Sequence, residues 1–235
     1  NGEEVASHVF EAGADNPMAQ PQAWHRVEAL TDDVEWFLEF YCEPKDYFPK
    51  KYNSNPVHSE VLEAMESLSP GKALDLGCGQ GRNALFLAQQ GFEVTAVDQN
   101  ELALEILQSI VEQEDLEMTV GLYDINSAAL TQTYDLIVST VVLMFLQADR
   151  IPAIIQNMQD QTNPGGYNLI VCAMDTEDYP CQVPFSFTFK EGELADYYKD
   201  WELIKYNENP GHLHRRDEHG NRIALRFATM LAKKK

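Results

Sequence analysis

Ala73-Leu74-Asp75-Leu76-Gly77-Cys78-Gly79-Gln80-Gly81-Arg82-Asn83 is an apolar run that ends in glycines at every second position and then enters a helical pattern. The order predicts a strand, a tight turn and a helix. Glycine is needed where the backbone takes a positive φ, or where a ligand comes against it with no Cβ in the way. The turn is therefore built to carry a cofactor.

Spacing selects the cofactor. A dinucleotide fingerprint has a further glycine three residues beyond the second one, and Arg82 stands there instead. The pattern Asp75-x-Gly77-x-Gly79-x-Gly81 resembles motif I of the class I S-adenosylmethionine-dependent methyltransferases. That resemblance implies an α/β, Rossmann-like sheet with an antiparallel seventh strand. It also implies S-adenosylmethionine as cofactor and S-adenosylhomocysteine as product, with Gly77, Gly79, Gly81, Arg82 and Asn83 around the ligand. The cofactor carries an ammonium group and no phosphate, so an acid at the strand end suits it. The bland alternative is a glycine-rich connection without a ligand, and the flanking strand and helix signals weigh against it.

Composition bounds the remaining classes. The chain has 235 residues, 44% of them hydrophobic, enough for one sizeable α/β core and a small appendage. A formal charge of −21 repels a nucleic-acid duplex or an anionic membrane, so neither is an expected partner. Cys42, Cys78, Cys172 and Cys181 lie far apart with no C-x-x-C, which suggests neither a zinc site nor a disulfide framework. The longest apolar stretch, 136–146, is too short to span a bilayer. With no signal peptide visible, the cytoplasm is the expected location.

Residues 23–30 and 34–41 are short, aromatic, partly alternating segments around Thr31-Asp32-Asp33, and predict two strands of a partial N-terminal β segment over 1–43. Glu43-Pro44-Lys45-Asp46 reads as a linker to the main domain at 44–235. Next come Tyr47 and Tyr52, then a helix over about 56–68. In methyltransferases of this class the segment before the first strand covers the cofactor, so the resemblance makes Tyr47 and Tyr52 candidates to do so. Packing aromatics are the alternative.

The helix 82–90 stops at Gly91, and strand 92–97 ends in Asp98, 23 residues after Asp75 by subtraction. An acid there is placed to accept both ribose hydroxyls, with Gln99 and Asn100 beside it. Asn100 also suits the N-cap of a helix over 101–113. A third strand over 119–123 ends at Asp124-Ile125; in this class the acid bonds the adenine amino group and the next apolar side chain packs on the ring. An Asx-turn is the alternative there. The nearly all-apolar strand 134–139 leads into Ser139-Thr140-Val141, at the crevice where open α/β sheets bind ligands. A helix over 148–161, a turn at 163–166 and a strand over 167–173 complete the parallel part.

The connection 175–189, rich in proline and aromatics, reads either as a lid or, from the alternation of Phe185, Phe187 and Phe189, as a short buried strand. A helix over 193–198 and strands over 201–206 and 223–232 follow. Between the last two strands, 207–222 reads as a loop with His212, His214, Arg215, Arg216, His219 and Arg222, unusual in so acidic a chain. Arginines are planar donors for oxyanions, and a histidine can take a proton near neutrality. A solvated hairpin tip is the alternative. The three histidines lack a convincing ligand spacing, so no metal is expected.

Several separated motifs resemble the tellurite-resistance methyltransferase family over about 46–235: Tyr47-Phe48 with Lys51-Tyr52, the run 58–63, the run 139–146, Pro164-Gly165-Gly166-Tyr167, Tyr179-Pro180-Cys181, Leu213-His214-Arg215, and Gly220-Asn221-Arg222. The family is bacterial and cytoplasmic, and methylates tellurium and selenium oxyanions; some members carry a small N-terminal β domain. The resemblance implies His214 as proton acceptor, Arg215 and Arg222 as oxyanion holders, and a small-molecule oxyanion as the partner, with a homodimer left open. Three rivals stand beside it: a nicotinamide dehydrogenase, a non-enzymatic S-adenosylmethionine sensor, and a methyltransferase for a thiol or halide.

Overall fold

The structure, a computed structural model, describes residues 42–216 and 219–235, with side chains described outside 214–218. The strands expected over 23–41 lie outside the described residues. Five parallel strands, β1 (Lys72–Leu76), β2 (Glu93–Asp98), β3 (Met118–Leu122), β4 (Tyr134–Thr140) and β5 (Thr162–Ala173), are continued by β6 (Glu202–Arg216) and β7 (Arg222–Lys233). The sheet order is β3-β2-β1-β4-β5-β7-β6, with β7 antiparallel to both neighbours. This is the class I methyltransferase sheet with its antiparallel seventh strand. Strand order reverses between β1 and β4, which opens the crevice at their carboxyl ends.

Alternation along the central strands feeds two apolar layers. Ala73, Leu136 and Val138 join Phe48, Phe86, Leu87 and Leu107 on one face. Leu74, Leu76 and Ile137 join Ile151, Ile155, Met158 and Phe189 on the other. The first face is covered by α1 (Pro44–Tyr52), α2 (Ser59–Ala64), α3 (Arg82–Gln89) and α4 (Glu101–Gln113), the second by α5 (Ile151–Asp160) and α6 (Glu193–Tyr197). In α4, Leu104, Leu107, Ile110 and Val111 recur at the helical period and are buried, and the Asn100 side chain caps the helix by accepting the Ala103 N–H at 3.2 Å.

Three expectations need correction. Glu43-Pro44-Lys45-Asp46 is no linker: Pro44 opens α1, where its missing N–H costs nothing, and Phe48 on the same helix is buried. The helix expected over 56–68 is regular only from Ser59 to Ala64. Residues 207–216 are not a loop, because β6 runs to Arg216 and pairs with β7 from Asn207↔Thr229 to His212↔Ala224. An edge strand tolerates Pro210, since no further strand calls for the backbone N–H that proline lacks. Gly211 passes under the Phe227 ring, where a Cβ would stand 2.9 Å from Cδ2.

Inside the second layer, the Asn168 amide nitrogen donates to the fully buried Tyr198 hydroxyl at 3.0 Å, joining β5 to the end of α6. Tyr198→Phe leaves that amide without its acceptor and should cost about 1–3 kcal/mol of stability. Urea denaturation checks it, and an unchanged midpoint would show that the pair contributes nothing.

Candidate active site

The glycine turn is fixed from below. The N–H groups of Gly77 and Cys78 both donate to the Val97 carbonyl, at 2.8 and 2.9 Å. Gly77, Gly79 and Gly81 have φ of 83°, 54° and 83°. A Cβ on Gly77 would stand 2.6 Å from both Val142 methyls, and one on Gly81 would stand 2.3 Å from Leu107 Cδ1. A Cβ on Gly79 would meet nothing within 4 Å. The outer glycines are thus demanded by packing, whereas the middle one faces the space a ligand can enter.

Asp98 ties this turn to β2. Its Oδ2 accepts the Gly79 N–H at 2.8 Å and its Oδ1 accepts the Asn100 N–H at 2.9 Å. Each oxygen keeps a second lone pair for a ligand hydroxyl. Gln99 and Asn100 are exposed beside it.

Asp75 lies beneath the turn, 2% exposed, accepting the Ala84 N–H at 3.0 Å. Burial pushes its carboxyl up to about 7, opposed by that hydrogen bond and by the Arg82 charge. Burial also lowers the Arg82 guanidinium. The Asn83 side chain is occupied: its Oδ1 accepts the His58 N–H at 3.1 Å and its Nδ2 donates to Thr140 Oγ1 at 3.0 Å. Burial, with Arg82 nearby, pushes His58 down to about 4, and its Nδ1 accepts the Glu60 N–H at 3.2 Å. The ring is therefore neutral, with its proton on Nε2. Sequence reading quoted His58 only as part of a motif; its place in this bridge depends on Asn83, which is 25 residues away.

The end of β4 is strained. Val141 has φ of 62°, unusual for a β-branched side chain, and its N–H donates to the Val171 carbonyl at 2.7 Å. Such strain collects at ligand sites, where the surroundings enforce it. Ser139 Oγ is the one fully buried side-chain polar atom among the described residues that lacks a hydrogen-bond partner.

Other expected residues are placed differently. Asp124 Oδ1 accepts both the backbone N–H and the side-chain amide of Asn126 at 3.0 Å, the Asx-turn reading, and Ile125 is buried in the core. The Tyr47 hydroxyl donates to Glu114 Oε2 at 3.0 Å, Tyr52 donates to Glu114 Oε1, and Lys51 reaches the same carboxylate at 2.8 Å. Glu114 is the C-cap of α4, whose other end starts beside Asp98. Thirteen helical residues, roughly 20 Å, separate the two tyrosine hydroxyls from that end. Tyr52 nevertheless comes to the glycine turn from this side, lining one cavity with Gln80 of the turn and with Glu105, Ser109 and Ile110 of α4. His214 and Arg215 belong to β6, but their side chains lie outside the described set; Arg222, exposed, opens β7 opposite Arg216.

The model of the family described as tellurite resistance protein TehB matches residues 40–231. The chain belongs to the TehB family. A TehB-like domain model matches residues 1–38. The chain is 57% identical over 235 residues to a probable S-adenosyl-L-methionine-dependent methyltransferase TehB of Haemophilus influenzae (strain 10810), covering 100% of this chain and 82% of that relative. It is also 52% identical to hemagglutinin 1 of Eikenella corrodens, over 100% of this chain and 78% of that one. The crystal structure of TehB from Haemophilus influenzae superimposes with a TM-score of 0.92 at 56% identity, over 100% of this chain and 82% of that one. Membership of the TehB family makes the chain an S-adenosylmethionine-dependent methyltransferase. The site suits that cofactor: an open cradle at Gly79, a carboxylate with spare lone pairs at Asp98, and an acid at the end of β1 for an ammonium group.

Two predictions separate the roles of these residues. Gly81→Ala should lower the melting temperature strongly, because its methyl enters Leu107. Gly79→Val should cost about 1–2 kcal/mol from φ strain alone and abolish S-adenosylmethionine binding in calorimetry. Normal binding by a folded Gly79→Val variant would make the middle glycine structural. The second concerns Asp75, whose folded pKa of about 7 exceeds its ordinary 3.8. A raised carboxyl adds stability at low pH that is lost as pH climbs from about 4 to about 7. The melting temperature of the wild type minus that of Asp75→Asn should therefore fall across that range; a flat difference would show an unshifted carboxyl.

Proposed function

We propose that the protein transfers a methyl group from S-adenosylmethionine to a small tellurium or selenium oxyanion. One observation carries the acceptor half. The last pairing of β5 with β7 is Ala173↔Phe227, yet β7 begins at Arg222 and stays paired with β6. The β6–β7 hairpin thus projects five residues, roughly 16 Å, past the carboxyl edge of the sheet, the edge that carries the glycine turn and Asp98. In a chain of charge −21, this projection holds His214, Arg215 and Arg222.

Bound S-adenosylmethionine supplies an electrophilic methyl on a sulfonium, leaving S-adenosylhomocysteine once a soft nucleophile has taken it. The chain's task is alignment, charge screening and removal of a proton. Asp98 and the Gly79 cradle hold the nucleoside end. Asp75, ionised by the arriving ammonium group, holds the amino-acid end. Arg215 and Arg222 donate to the oxyanion, and His214 accepts the proton of the acceptor's hydroxyl as its lone pair meets the methyl carbon. The TehB name of the relatives agrees with this acceptor class.

With labelled cofactor and selenite or tellurite, His214→Ala should lower turnover about a hundredfold or more, and Arg215→Ala or Arg222→Ala should raise the acceptor KM. Cofactor affinity should barely change. Wild-type rates in the triple variant would overturn the assignment.

A further inference from the structure

The projecting hairpin has a definable base. Arg226 is the first residue of β7 past the last β5 pair, and the Met174 N–H donates to its carbonyl at 2.9 Å. Beyond it no third strand pairs with the two, and the hairpin is held by its backbone ladder and by one apolar side, where Leu225 is buried and Ile223 and Leu213 pack against the core. At this base one guanidinium gathers three segments. Arg226 Nε lies 3.0 and 2.9 Å from the two carboxylate oxygens of Asp178. Its Nη1 donates to the Glu208 carbonyl on β6 at 2.7 Å, and its carbon lies 5.5 Å from the centre of the Tyr179 ring. The Arg226 charge, through these bonds, holds the Asp178 carboxyl down at about 2.

Asp178 and Tyr179 belong to the connection 175–189, whose other end is fastened to the cofactor side. The Ser186 and Phe187 N–H groups reach the Met144 carbonyl at 3.0 and 3.3 Å, and Phe185 meets Phe145 edge-on at 5.4 Å. Met144 follows the strained Val141 by three residues. At the start of the connection, Asp175 draws it together by accepting from Lys190 Nζ, just past its far end, at 2.8 Å and from the Cys181 N–H at 2.9 Å. The connection is thus a strap with one anchor beside the methyl donor's crevice and the other on the hairpin.

We propose that the Arg226–Asp178 clasp fixes the cationic hairpin against this strap, making Arg226 a positioning residue for the acceptor half of methyl transfer. The proposal rests on the reading that the acceptor meets the hairpin. The clasp touches neither cofactor nor acceptor. Its action is to hold the ribbon at one angle to the crevice, so that groups near the tip meet the acceptor in line with the methyl.

The test uses the full chain with S-adenosylmethionine and selenite. Asp178→Asn, Arg226→Gln and the double variant should each raise the selenite KM about three- to tenfold, the double no more than either single, because the two residues share one interaction. Cofactor affinity by calorimetry should stay at the wild-type value, and amide exchange over 176–183 should accelerate. Asp178→Asn keeps the Arg226 bond to Glu208, so it serves if Arg226→Gln folds poorly. Wild-type selenite KM in Asp178→Asn, with His214→Ala inactive, would overturn the clasp and leave the proposed acceptor site standing. Wild-type turnover in both Asp178→Asn and His214→Ala would overturn both.

Discussion

The carboxylate of Asp98 accepts one amide from the glycine turn and one from the start of α4. That pair of hydrogen bonds joins the ends of two neighbouring strands at the crevice. Without it, Gly79 would be held only through its chain neighbours, and a cradle that moved could not present one surface to a ligand. The Val97 carbonyl beneath, taking two N–H donors, continues the same fastening one residue deeper. The Val97 bonds are backbone to backbone, whereas the Asp98 bonds depend on one side-chain rotamer, so the deeper fastening is main-chain geometry and the outer one is a carboxylate held in place.

Around this fastening the protein tolerates local costs that its core offsets. Asp75 is a carboxyl taken out of water, and Val141 is a β-branched residue in a left-handed conformation. Neither would persist on an exposed loop. Leu74 and Leu76 flank the first and are buried, and the residues after the second, Leu143 and Met144, are 0% exposed. The apolar layers thus carry the free energy that holds an acid and a twisted backbone where a cationic ligand can use them.

Sequence reading succeeded where the governing interaction is local. The helix at 101–113 was legible to the residue, because its cap and apolar period lie within one stretch. The place of Asp98 at the end of β2 was legible because a strand end lies a fixed distance after a glycine turn. It failed where a distant partner decides. Pro210, Gly211 and clustered charges resemble a loop, and only Phe227 and the ladder to β7 make them strand. The hydroxyls of Tyr47 and Tyr52 both meet Glu114, more than 60 residues away, a pairing that no local pattern announces. Pro44 signals both linkers and helix starts, and burial of Phe48 decides between them. The Asn83 amide bridges His58 and Thr140, two partners far along the chain that its place after the glycine turn does not reveal.

Cys78 sits inside the glycine turn, between Asp75 and Asp98. Burial, reinforced by these two acids, pushes its thiol far above the usual range. Oxidants attack the thiolate, so a thiol held protonated is chemically quiet. Cys172 is equally shielded, whereas Cys42 is exposed and Cys181 partly so. Under oxidative stress, cysteine damage would therefore start at Cys42 and Cys181, and the thiol inside the glycine turn would be among the last to react.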